Sequence, residues 1–203
     1  MALLLISTTI TCYGQRKEIS TWSAKIGLGF NSPSESGFVD GFPAQTLNFP
    51  TVNLGVQRMF SRQLGARLDY GFNRFKSESD NPEFKINYNR INLQLVYNPS
   101  ESLNFLTQEM QLIGHIGPGY STAKPLGNLD VIKQSYLNAI AGLEFHYMIN
   151  RKVALYVDVS YIYGLTNLED YNPETLGFGA FNGNVFNLTF GVNIALSGCY
   201  YCE

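Results

Sequence analysis

The chain has 203 residues, 15% charged and 14% aromatic, with a formal net charge of −2 and a mean hydropathy of −0.07. That balance excludes a polytopic helical membrane protein, whose apolar spans would raise the mean well above zero. It also gives no electrostatic reason to expect nucleic acid as a partner, and the length fits one domain or one barrel of modest size.

Residues 1–14 read as an export signal. Ala2-Leu3-Leu4-Leu5-Ile6 is a short apolar core, and Cys12-Tyr13-Gly14 sets small residues at −3 and −1 of a cut before Gln15. Lipidation at Cys12 is disfavoured by Thr11 in front of it. From there to residue 196 the chain is a series of segments in which apolar and polar residues alternate. A period of two marks an extended strand with one apolar and one polar face.

The first segment, 21–30, sets Trp22, Ala24, Ile26, Leu28 and Phe30 against Lys25, Gly27 and Gly29. The second, 51–60, sets Val52, Leu54 and Val56 against Asn53, Gly55 and Gln57. The third, 64–74, carries Leu64, Ala66, Leu68, Tyr70 and Phe72 opposite Arg67, Asp69 and Asn73. The fourth, 87–97, carries Ile91, Leu93, Leu95 and Tyr97 opposite Arg90, Asn92 and Gln94. In the fifth, 110–120, Pro118 has no amide hydrogen for a ladder, so a bulge or a strand end is expected there. The sixth, 135–147, alternates Leu137, Ala139, Ala141, Leu143, Phe145 and Tyr147 with Asn138, Gly142, Glu144 and His146. The seventh, 153–163, alternates Val153, Leu155, Val157, Val159, Tyr161 and Tyr163 with Tyr156, Asp158 and Ser160. The eighth, 186–196, is the most regular: Phe186, Leu188, Phe190, Val192, Ile194 and Leu196 against Asn187, Thr189, Gly191, Asn193 and Ala195.

Segments of about 10 residues are long enough to cross a bilayer when tilted. The connections after the first, third, fifth and seventh are long (31–50, 75–86, 121–134 and 164–184); those after the second and sixth are tight. The fourth connection, 98–109, is the exception and has the length for a short helix. Short turns on one side and long loops on the other predict an all-β fold: an eight-stranded antiparallel up-and-down transmembrane β-barrel over 15–196, with 197–203 as a short tail.

The charges support that reading. Central outward positions carry none, whereas Lys25, Arg67, Asp69, Arg90, Glu144 and Asp158 all fall on the inward parity. A Lys or Arg on the lipid face at mid-bilayer costs about 2–4 kcal/mol. A barrel of eight strands is only wide enough to be filled by side chains. Three cations and three anions inside it predict an ion-pair network that plugs the interior. Trp22, Tyr70, Phe72, Tyr97, Tyr147, Tyr161, Tyr163 and Phe186 lie towards strand ends on the apolar face, as an interfacial girdle requires. A soluble cup of inverted polarity is the alternative.

The stretches Phe49-Pro50-Thr51-Val52-Asn53-Leu54-Gly55-Val56, Leu68-Asp69-Tyr70-Gly71-Phe72-Asn73-Arg74-Phe75 and Tyr88-Asn89-Arg90-Ile91-Asn92-Leu93-Gln94 resemble the N-terminal barrel of OmpA-type outer-membrane proteins from Bacteroidetes-like bacteria. The resemblance covers the mature chain and implies outer-membrane placement among lipid and other outer-membrane proteins. It also implies that Thr189, Gly191, Ile194 and Leu196 form the last-strand signal read by the barrel-assembly machinery. Only seven residues follow Leu196, so the peptidoglycan-binding domain of that family is not carried over.

No catalytic set is legible, and no cofactor or metal is expected. His115 and His146 take inward parity, where hydrogen bonding to Glu144 or Asp158 is the expected role. Cys199 and Cys202 form a C-x-x-C pair at the extreme end, read as a tail disulfide or two idle thiols. The functional expectation is a non-enzymatic structural or surface-interaction barrel whose long loops recognise partners. The alternatives are a narrow small-solute channel and an accessory barrel subunit of a larger outer-membrane complex.

Overall fold

Each alternating segment forms a strand, and each strand pairs antiparallel with its neighbours in the chain. In order they are β1 (Thr21–Pro33), β2 (Asn48–Met59), β3 (Leu64–Lys76), β4 (Lys85–Tyr97), β5 (Met110–Leu126), β6 (Gln134–Met148), β7 (Val153–Gly164) and β8 (Val185–Ala195). β8 also pairs with β1, with Lys25 opposite both Asn193 and Gly55, so the sheet closes into a barrel with no free edge. This computed structural model describes residues 21–38, 41–78, 83–126, 133–165 and 180–196. The proposed signal, Cys199, Cys202 and most of 164–184 lie outside them.

The tight connections are held by side-chain oxygens. Ser61 Oγ accepts from the Leu64 amide at 3.0 Å, and Asn150 Oδ1 accepts from the Lys152 and Val153 amides at 2.9 Å each. At the other end the strands run further than the alternation suggests. β5 corrects the expectation at Pro118: it continues to Leu126 without a bulge. Asn92 faces Gly119 and Leu95 faces Ile116, so the register with β4 is the same on both sides of the gap. The ladder to β6 is continuous, with Pro118 opposite Ala139. The missing amide hydrogen therefore interrupts one ladder only. The 98–109 connection holds one 3-10 turn, Ser100–Ser102, and Ser100 Oγ accepts from the Leu112 amide at 2.9 Å. That contact covers β5 where β4 has already ended.

The outer face of the middle section is an apolar band, with Leu93 60% and Leu68 56% exposed. Water on such a band would be unfavourable over its whole circumference; hydrocarbon is the solvent it fits. Inside, layers succeed one another. At the short-turn end Met59, Val96 and Ile113 form an apolar floor. Charged side chains fill the middle. A tier of amides and hydroxyls follows, in which Asn73 Nδ2 donates to Asn187 Oδ1 at 2.9 Å and Asn138 Nδ2 to Ser121 Oγ at 2.7 Å.

At the long-loop end the interior turns aromatic. Phe38, Phe75, Phe84, Tyr88, Tyr136 and Phe181 are all buried in one cluster. Phe38 and Phe181 come from the connections, not the strands, and their ring centres are 4.7 Å apart. Backbone bonds from Ser34 to Asn184 (2.8 Å) and from Asn182 to Gly37 (3.1 Å) tie the two connections together. They cross so closely that a Cβ on Gly37 would stand 2.5 Å from the Gly183 Cα.

Candidate functional site

All six charged residues predicted inside the barrel are buried there: Lys25, Arg67, Asp69, Arg90, Glu144 and Asp158. They divide into three groups. Glu144 on β6 is the hub of the first. Its Oε1 accepts from Arg67 Nη1 on β3 at 2.6 Å, its Oε2 pairs with Lys25 Nζ on β1, and His146 Nε2 lies 2.9 Å from the same oxygen. The second joins neighbouring strands: Arg90 Nη1 donates to Asp69 Oδ2 at 2.5 Å, and Arg90 Nη2 to Asn53 Oδ1 at 2.9 Å. In the third, Asp158 has no Lys or Arg partner among the described residues. His115 Nε2 lies 3.0 Å from its Oδ1, and Ser160 Oγ donates to Oδ2 at 3.2 Å.

Large polar groups fit a narrow barrel only where neighbouring strands give room. Arg90 lies across Gly71, where an added Cβ would stand 2.5 Å from Arg90 Nε. Tyr156 fills the space over Gly27 and Gly191; a Cβ on Gly27 would stand 2.6 Å from its hydroxyl. The Tyr156 ring in turn carries Lys25 Nζ at 4.2 Å and stacks on His146 at 5.4 Å. A positive charge over a ring face gains from the ring quadrupole, which adds to the ion pair. Tyr156 and the two histidines complete the network and were not among the six charges. The inward facing of the histidines and of Tyr156 was legible from parity; that Tyr156 sits over two glycines was not, because only the register places it there.

The arrangement leaves almost no free volume. The cavity among these side chains measures about 10 Å³, space for about one water. His115, Glu144 and Asp158 bring ligand-type atoms within 4.8 Å of one another. Both Glu144 oxygens already face cations, however, and an added metal ion would meet Lys25 and Arg67 at close range. The geometry sets three cations against three carboxylates, so that the buried charges neutralise one another.

Thr189 and Gly191 face the interior on β8, while Ile194 and Leu196 stand exposed on the outer face. At the short-turn end Arg58 lies over the Trp22 ring at 5.4 Å. Tyr70 is nearer mid-strand than an end belt requires, opposite Leu54 and Ile91, and its hydroxyl donates to outward-facing Asn89 at 2.7 Å. That bond marks where the apolar band stops on β3 and β4.

A family model described as the outer membrane protein β-barrel domain matches residues 2–193. Among solved structures, OprG from Pseudomonas aeruginosa is 17% identical with a TM-score of 0.59, covering 87% of this chain and 97% of its own. A major outer membrane protein from Thermus thermophilus is 14% identical with a TM-score of 0.60, covering 88% and 100%. Ail, the attachment invasion locus protein of Yersinia pestis, solved with the heparin analogue sucrose octasulfate, is 16% identical with a TM-score of 0.52, covering 87% and 99%. At these identities the likeness is one of fold. No curated protein matches the chain.

Proposed function

The chain belongs to the outer membrane protein β-barrel domain family and resides in the outer membrane, and on that premise we propose that it is a structural and surface-interaction barrel without a through-pore. The observation that carries this reading is the cavity of about 10 Å³ among the central charges, which has room for about one water. The apolar floor below and the aromatic cluster above add to it. An ion crossing such an interior would have to part Glu144 from two cations. Separating a buried pair costs about 3–5 kcal/mol.

In this reading the protein works through what it displays. The long connections, with 31–50 and 164–184 the longest, are the recognition surface. Ail, of the same architecture, is an attachment protein solved with a polysulfated sugar; a comparable surface role is the proposal here. Purified protein in planar bilayers tests the closed interior. No resolvable conductance steps are expected, and steady steps from folded, heat-modifiable protein would overturn the reading.

A further inference from the structure

Above the Tyr70–Asn89 boundary, the outward wall of β3, β4 and β5 carries an unusual set of side chains. Arg74 faces Asn87, which faces Lys124; one row further out, Lys76 faces Lys85. Lys133 is the residue before β6 and extends the row beyond Lys124. Neighbouring strands are about 4.8 Å apart and same-face residues about 6.8 Å apart, so the four strand cations lie within about 12 Å of one another. All of them have the lipid-facing parity of Leu68, Leu93 and Ile116 below.

Two carboxylates stand nearby among the described residues. Glu83 accepts from Lys85 at 2.9 Å, a hydrogen bond that holds its carboxyl below the ordinary value. Glu78 is exposed beyond Lys76. Arg74, Lys76, Lys124 and Lys133 have no ion-pair partner among the described residues. Arg74 is half-buried, its guanidinium carbon 5.8 Å from the Phe72 ring centre, and its Nε has no hydrogen-bond partner. Asn87 Oδ1 beside it is likewise unpartnered. The patch is one-sided: on β7, β8 and β1 the corresponding outward positions are Tyr163, Phe186 and Phe30.

We propose that this wall binds the phosphate groups of an anionic glycolipid headgroup in the outer leaflet. Bare cations on the lipid-facing side of a membrane wall, immediately above rings at the apolar boundary, meet headgroups and not bulk solvent. Guanidinium and ammonium groups in two rows suit a headgroup bearing more than one phosphate. The inference uses the family's orientation, long connections outside, and is independent of whether the interior conducts.

The test uses the folded full-length protein in phosphatidylcholine vesicles with and without bis-phosphorylated lipid A. Lipid A retained per protein is read by native mass spectrometry, and affinity by titration. Each cation near an anionic surface contributes roughly a factor of five, so Arg74→Gln/Lys76→Gln/Lys124→Gln lowers affinity on the order of a hundredfold. The exposed pair Lys76→Gln/Lys124→Gln, which does not touch the packed Arg74, lowers it about thirtyfold. Arg151→Gln/Lys152→Gln, at the opposite end, leaves it unchanged, and added salt weakens wild-type binding. Equal affinity for lipid A and its dephosphorylated form, equal affinity of wild type and the exposed double variant, or equal loss in the opposite-end variant would each overturn the proposal. So would full competition by a soluble sulfated oligosaccharide, which would assign the wall to a soluble polyanion.

Discussion

Strand β4 contains two regions with opposite rules. From Arg90 to Tyr97 it turns Arg90, Asn92 and Gln94 inward and Ile91, Leu93, Leu95 and Tyr97 outward; from Lys85 to Asn89 it turns Ile86 and Tyr88 inward and Lys85, Asn87 and Asn89 outward. The backbone is the same and the register with β3 is unbroken across the switch. What changes is the solvent outside. Where hydrocarbon surrounds the wall, polar side chains are sheltered inside and must neutralise one another. Where polar headgroups and water surround it, rings go inside and charges outside, as in a soluble protein. The upper barrel is thus polar outside with an aromatic core, built on strands continuous with the membrane section.

Substitutions that treat the two regions alike would show different costs. The largest effect is expected at Glu144→Leu, which leaves Lys25 and Arg67 buried without their carboxylate and costs about 3–5 kcal/mol. Denaturant unfolding in vesicles measures it; a cost under about 1 kcal/mol would mean that the central pairs are not desolvated. In the upper region Phe181→Ala removes a ring from the aromatic cluster and costs about 3 kcal/mol. Loss of protection of the loop against protease should accompany that change while the membrane section stays folded.

The boundary itself is tested by the pair Leu93→Arg and Asn89→Arg, both outward on β4. The first costs about 2–4 kcal/mol and the second less than about 1, because only Leu93 lies in the hydrocarbon layer. Equal costs would place the boundary elsewhere. A smaller effect than at Glu144 is expected at Gly27→Ala, whose Cβ would press on the Tyr156 hydroxyl at 2.6 Å; the ring must shift, at about 1–3 kcal/mol. Denaturant unfolding in vesicles measures it, and no loss of stability would mean that Tyr156 has room to move.

Strand count, order and facing could be read directly, because alternation is a local property of an extended backbone. The inward position of the six charges followed from the same parity. Their pairing did not. Arg67 and Glu144 are 77 residues apart, and parity cannot say which of three cations meets which of three carboxylates. Asp158 illustrates this: by charge it could take any cation, yet it lies against His115 and Ser160. The change of rule at Asn89 was visible as a change of phase in Lys85-Ile86-Asn87-Tyr88-Asn89-Arg90-Ile91. On a single strand that phase change cannot be told from a strand beginning at 87. Phe38 and Phe181 had no periodicity to announce them, since they belong to connections.

The sequence by itself therefore determined an eight-stranded barrel, which residues face in, and an outer band free of central charge. Only the tertiary structure decided which charges pair, how the connections seal the upper end, and that the surplus cations gather on one wall. The physical reason is distance. Side-chain facing repeats every two residues and needs no partner strand, whereas every pairing across the interior depends on the stagger at which eight strands close.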